Sequence, residues 1–355
     1  MLVEPASLCW LAGRRAEARD GLTWAAELER WPALRAVVRD GGTGLSQGIE
    51  LLRARRQERR GAELEDGLDV FHTLREGGRA LRATWAQASH ALERAEAAQR
   101  RFDQRGRQGQ SNTGYGPPLR RWWAAAEAAF TRAEAAEAAW GRARAALELF
   151  TPEGRLNDRP HAEAVVAAAL PELAGTAWAK VRRLLSCPES FTFLDQAARR
   201  LAGLGLERDV LAALLEWEGQ RRQPWRSRGS TPVAAATRGL ALVRAVQLTK
   251  TSPAWHDQAA AVHRVLRGVW RASSLVECVN SVARMQQARH RKMTQGLLDL
   301  KRLYWNLRRF RTGHRKGQTP YGLLGLKVPE LSFGEFLKLT PEELREQLSV
   351  MEHAP

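Results

Sequence analysis

Apolar residues recur with a heptad period over two stretches of the chain, Arg82–Gln104 and Leu119–Phe150. In the second, Leu119, Ala126, Ala133, Trp140 and Leu147 lie seven apart, and Trp122, Ala129, Ala136, Ala143 and Phe150 form a row three positions later. That spacing predicts two long helices meeting along a seam. The segment between them, Gly106–Pro118, is rich in glycine, proline and small polar residues and predicts a reversal, hence an antiparallel helical hairpin. Alanine along the seam lets the helices approach closely, and the spacing assigns Trp122, Trp140 and Phe150 to core packing at its ends.

Residues 1–82 carry a different pattern. Leu34–Arg39 reads as a short buried strand, Asp40–Gly44 as a turn, and Leu45–Arg60 as a helix, which is an α/β signature. Leu2–Leu11 and Leu68–Phe71 read as further strands, and Leu22–Arg30 as a connecting helix. Asp40 thus sits at the carboxyl end of a strand, where open α/β sheets place their sites. Beyond the hairpin, helical stretches run through Ala162–Ala169, Phe193–Leu204, Arg208–Gln220, Val233–Leu248 and Trp255–Trp270. His161, His256 and His263 form no His-x-x-x-His pair and read as isolated residues. Near the end, Thr340, Pro341 and Glu343 spell a capping box opening a last helix. The fold class is α+β, predominantly helical.

Charge narrows the class of partner. The 355 residues include 56 Lys/Arg and 39 Asp/Glu, giving +17. Eleven of the cations lie between Arg284 and Lys316, where Asp299 is the one acid, so this tract alone holds +10. Such clustering points to nucleic acid, because each neutralised phosphate releases counterions; a membrane surface and a solvated basic face are the alternatives. No run approaches the ~18 apolar residues of a membrane-spanning helix. Cys9, Cys187 and Cys278 form no Cys-x-x-Cys pair, which indicates neither a zinc site nor a disulfide framework and leads us to expect the cytoplasm. The first residues lack the pattern of a signal peptide.

Immediately before the basic tract stands Ser273-Ser274-Leu275-Val276-Glu277-Cys278-Val279-Asn280-Ser281. Ser274 and Glu277 have capping-box spacing, so Glu277 can serve a helix start. A carboxylate beside a phosphate-binding surface can equally hold Mg²⁺, which takes hard oxygen ligands from protein and substrate.

These residues resemble DDE transposases, whose RNase H-like catalytic core is interrupted by an all-helical insertion. Val37–Leu45 is similar to the family's second acidic motif, an Asp ending a strand before a small-residue turn. Leu68-Asp69-Val70-Phe71-His72 resembles the Asp/Cys-x-x-His signature of Mutator-like and related bacterial transposases. The Ser273–Ser281 segment resembles Ser-Ser-x-x-Glu-x-x-Asn-Ser, which carries the third acid, and Pro320–Leu326 resembles the Pro-rich tail that follows. The resemblance implies Asp40 and Glu277 as catalytic, metal-binding acids for Mg²⁺ or Mn²⁺, with Asp69, His72 and Asn280 supporting the motifs. It also implies Arg284, Arg289, Arg291, Lys292, Lys301 and Arg302 as DNA contacts. Transposon ends and target DNA are the expected partners, in an insertion-sequence element that recombines DNA, and a homo-oligomer is compatible with it. A membrane partner is not expected.

The family's first Asp lies on a strand for which no candidate is found: Glu4 and Asp20 fall on the wrong elements. We therefore expect a reading frame that starts late and an incomplete two-metal site. DNA cleavage and strand transfer should be impaired. The expected organisation is residues 1–82 as a partial RNase H-like core, 83–268 as the helical insertion, 269–327 as the rest of the core with the basic helix, and 328–355 as a tail helix. Two other readings stay open: a non-catalytic helical DNA-binding protein, and an RNase H-superfamily nuclease unrelated to transposition.

Overall fold

The computed structural model describes residues 1–226, 232–272, 274–287 and 293–347. In chain order the elements are β1 (Leu2–Val3), β2 (Trp10–Ala12), α1 (Gly21–Glu29), β3 (Ala36–Arg39), α2 (Thr43–Glu58), β4 (Glu65–Leu68), α3 (Val70–Arg107) and α4 (Gly116–Ala146). The helices α5 (Arg159–Ala169), α6 (Ala179–Leu185), α7 (Thr192–Ala202), α8 (Arg208–Arg226), α9 (Pro232–Thr251) and α10 (Trp255–Arg267) follow. The chain closes with α11 (Ser274–Gln287), α12 (Gln295–Leu307), α13 (Pro320–Leu323), α14 (Phe333–Phe336) and α15 (Pro341–Gln347). It is a mostly helical α+β protein. Its contacts divide it into two compact units: Met1–Leu34 with Gly42–Glu63 and Ala272–Pro355, and Arg35–Gly41 with Leu64–Arg271. This division differs from the boundary expected near residue 82, which α3 crosses without interruption.

In the first unit, the strand expected over Leu2–Leu11 is a hairpin, with β1 antiparallel to β2. The carboxylate of Glu4 closes its turn, accepting from the amides of Ala6 at 2.9 Å and Ser7 at 2.7 Å. The outer edge of β2 is covered by side chains of α12 rather than by another strand. Asn306 accepts from the Trp10 amide at 2.9 Å and donates to the Trp10 carbonyl at 3.0 Å. Trp305 donates to the carbonyl of Leu8, Arg302 to that of Leu11 and Gln295 to that of Gly13, so the helix satisfies successive groups that a strand edge would leave open. Trp10, Trp305 and Val279 of α11 form the small core beneath. Helices α1 and α2 approach closely because Gly44 and Gly48 lack side chains: a Cβ on Gly44 would lie 1.8 Å from the Arg19 carbonyl oxygen, and one on Gly48 2.5 Å from Trp24 Cβ. The capping box read at α15 is present, with reciprocal bonds of 2.8 and 3.2 Å between Thr340 and Glu343.

In the second unit, β3 and β4 pair in parallel, Ala36 opposite Glu65 through Arg39 opposite Leu68. Arg39 and Asp66 share one face of this pair and form a buried ion pair: Nε reaches both carboxylate oxygens at 2.8 and 2.9 Å, and Nη2 one of them at 2.6 Å. Among the described residues the four strands thus form two separate two-stranded sheets. Helices α3 and α4 make the predicted antiparallel hairpin, and its heptad positions from Ala126 to Ala143 are buried; Leu147 and Phe150 are buried beyond the end of α4 at Ala146, Phe150 in a bridge to Leu156, so the helix expected to run to Phe150 stops short. Gly77 of α3 leaves room for the Trp140 ring, which would lie 2.1 Å from a Cβ there. The seam fails at its far end, however, where Trp122 is 40% exposed instead of packed. Helices α5–α10 continue the core around Trp178, Phe191, Leu194 and Val262. Among the described residues no helix is long and apolar enough to cross a membrane.

Candidate acidic site and nucleic-acid surface

Asp40 follows β3 directly and is exposed. Gly41, at φ +78°, turns the chain away from the strand, a conformation that costs an L side chain strain. The parallel register continues one step, since the Asp69 amide donates to the Arg39 carbonyl at 2.8 Å. Asp40 and Asp69 therefore follow the last paired residues of adjacent parallel strands.

The two acids have different environments. Asp69 is fully buried at the carboxylate and caps α3, accepting from the amides of Phe71 at 2.7 Å and His72 at 3.2 Å. Its other oxygen lies 2.7 Å from Nδ1 of His72. That contact holds the imidazole in one orientation. The Asp-x-x-His signature thus orders the strand-to-helix junction. The strand expected over Leu68–Phe71 ends at Leu68, and the helix starts at Val70 because Asp69 is its N-cap.

Glu277 lies in the first turn of α11, half-buried, in the first unit, whereas Asp40 belongs to the second. Val279, fully buried against Trp10 and Trp305, anchors the helix. Asn280, half-buried, is three residues on from Glu277 and so near it on the helix surface. Ser273 lies outside the described residues, as does the side chain of Ser274, and with it the capping box proposed for Glu277. Glu4 and Asp20 serve local structure: the first closes the β1–β2 turn, and the second caps α1, accepting from the Thr23 amide at 2.8 Å. That backbone bond lowers the Asp20 carboxyl below its ordinary pKa. Among the described residues, no three His, Cys, Asp or Glu side chains are grouped to hold a metal ion.

Of the expected DNA contacts, Arg289, Arg291 and Lys292 lie outside the described residues, and so does the side chain of Arg284 on α11. Arg302 is engaged within the first unit, donating to the Leu11 carbonyl and pairing with Asp299 at 3.3 Å. Among the described residues Lys301 Nζ is buried without a hydrogen-bond partner, and desolvation lowers its pKa. Further along the tract, Arg308 covers the Trp305 ring at 3.6 Å, Arg309 pairs with Glu330 at 2.9 Å, and Arg315 donates to the Ala6 carbonyl at 2.9 Å. Much of the positive charge read as a DNA-facing surface therefore also holds the first unit together. Arg311 and Lys316 remain exposed.

Sequence spacing missed one cluster of ionisable groups. Glu218 on α8 is buried at its side chain and paired with Arg221 at 2.7 Å, Arg222 at 2.7 Å and His263 of α10 at 2.8 Å. Burial acts to raise the Glu218 carboxyl, but the bonds from His263, Arg221 and Arg222 outweigh it and hold the pKa below its ordinary value. Arg221 and Arg222 at i+3 and i+4 were the legible half of this signal; His263, 45 residues away, was not. Comparison with family models, with curated proteins and with solved structures finds no match.

Proposed function

We propose that this chain is a transposase-derived DNA-binding protein whose ancestral reaction was metal-dependent DNA cleavage and strand transfer on an RNase H-like core. The observation that carries the reading is Asp40: an exposed carboxylate at the carboxyl end of a strand in a parallel pair, followed by a left-handed glycine and a helix. Glu277, early in α11 before the basic tract, is the second acid that the motif resemblance assigns.

Asp40 and Glu277 offer the hard oxygens that Mg²⁺ or Mn²⁺ prefers. A bound ion would polarise a phosphodiester oxygen and lower the pKa of an attacking water. Asp69 is engaged by the α3 cap and by His72, which leaves Asp40 and Glu277 as the acids of this reading. The activity expected of this chain is DNA binding, with cutting impaired.

A supercoiled plasmid tests both parts. Mobility shift should show binding that weakens steeply with salt, while nicking with Mg²⁺ or Mn²⁺ stays near background. Any residual nicking should disappear with Asp40→Ala and with Glu277→Ala. Binding without any effect of metal or of these substitutions favours the alternative, a non-catalytic helical DNA-binding protein. Absence of binding at low salt excludes both readings.

A further inference from the structure

We infer that the far end of the α3–α4 hairpin is a second nucleic-acid contact, built to hold single-stranded DNA. Resting on the reading of DNA as the partner, the inference adds a surface that the motif resemblance does not assign. Helix α3 has 38 residues and is roughly 57 Å long, and the tip is the end at which the buried seam stops.

From Gln99 to Trp123 the chain holds six arginines, Arg100, Arg101, Arg105, Arg107, Arg120 and Arg121, against one acid, Asp103. Arg100 pairs with Glu96 at 3.6 Å; among the described residues the other five have no ion pair. All six cations are arginine and none is lysine, which suits bidentate phosphate contacts and stacking.

Three aromatic rings stand among these charges. Tyr115 is 46% exposed, and Trp122 and Trp123 are each 40% exposed. Their positions are fixed: Arg105 lies over the Tyr115 ring at 4.3 Å, Arg94 over Trp122 at 5.7 Å, and the Trp123 indole donates to Gln99 at 3.2 Å. The turn is held as well, by Arg105 to the Ser111 carbonyl at 3.0 Å and by Asn112 to the Phe102 carbonyl at 3.2 Å. Ordered rings with open surface, interleaved with arginines free of carboxylate partners, match what a single strand presents, namely unstacked bases and a phosphate backbone. An acidic protein would use the charges and leave the rings without a role; a duplex offers no free base faces.

The test uses the full-length chain and fluorescein-labelled oligothymidine, with the same oligonucleotide hybridised to its complement as the duplex arm. Replacing Arg101, Arg120 and Arg121 by Gln should reduce the salt slope for the single strand by about 2 and weaken binding about tenfold or more. Tyr115→Ala should weaken single-strand binding about fivefold or more and leave the duplex nearly unchanged. Circular dichroism and a melting curve establish that each variant is folded. A measurement independent of any variant is photocrosslinking of an iodouridine-substituted strand, which should label peptides carrying Tyr115, Trp122 or Trp123. If the wild-type chain binds DNA while the tip variants bind as wild type and crosslinks fall elsewhere, the inference is overturned and the DNA reading stands. Equal losses for duplex and single strand overturn the single-strand assignment. No binding by the wild-type chain removes both.

Discussion

Asp66→Ala is the substitution whose cost can be worked most fully from the structure. Arg39 and Asp66 are both under 10% exposed at their side chains, and three hydrogen bonds join them immediately before Asp40. Removing the carboxylate leaves a guanidinium buried without its main partner, a change that costs about 3–5 kcal/mol. Glu189 lies 3.8 Å from the same nitrogen and is partly exposed, so it can compensate in part and puts the expectation at the lower end. For a body of this size ~3 kcal/mol lowers the melting temperature by roughly 6–12 °C. Replacing both partners, Arg39→Met with Asp66→Leu, removes the stranded charge and should recover most of the loss, because well-packed apolar isosteres of a buried pair are often neutral. Thermal melts of the two single variants and the double variant complete the cycle. If Asp66→Ala melts within a degree of wild type, or the double variant is as unstable as the worse single, the buried-charge argument fails.

Gly77→Ala places a methyl group where the Trp140 ring lies and should cost about 1–3 kcal/mol; adding Trp140→Leu should not add to that loss in the same melt, as two independent lesions would. Asn306→Leu orphans the amide and carbonyl of Trp10, at about 1–3 kcal/mol for each group, and hydrogen exchange should show faster opening at Trp10. Glu218 contributes stability through a lowered pKa, so that contribution is complete above its unfolded-state pKa and is lost as pH falls through the folded one. Glu218→Gln should therefore destabilise the protein at neutral pH and flatten the acid limb of the melting temperature against pH; an unchanged acid limb would show that the cluster does not act through this carboxylate.

The elements legible in the sequence were those whose signal is local. Alanine at heptad spacing gave the α3–α4 seam, because residues seven apart return to one helix face. Strand, glycine turn and helix gave β3 and the placement of Asp40, and Thr340 with Glu343 gave the last helix start. The short apolar run at Leu68–Phe71 was misread as strand, since its length does not separate a strand from the first turn of a helix; the Asp69 cap decides it. Trp122 fits the heptad by number, yet it lies near the turn joining α3 to α4, and periodicity does not report where a seam ends. The use of α12 was illegible for another reason. Asn306 and Trp10 are 296 residues apart, and their pairing is a tertiary contact that no spacing encodes. For the same reason Arg302 read as a DNA contact, though the fold uses it on the edge of β2.

The central claim is that Asp40 and Glu277 are metal ligands of one DNA-processing protein, and manganese binding measured by electron paramagnetic resonance in the presence of DNA tests it most directly. The account predicts that wild-type protein takes up Mn²⁺ and that Asp40→Ala and Glu277→Ala each lower that uptake while leaving the protein folded. Wild-type uptake in the Glu277→Ala variant would contradict it.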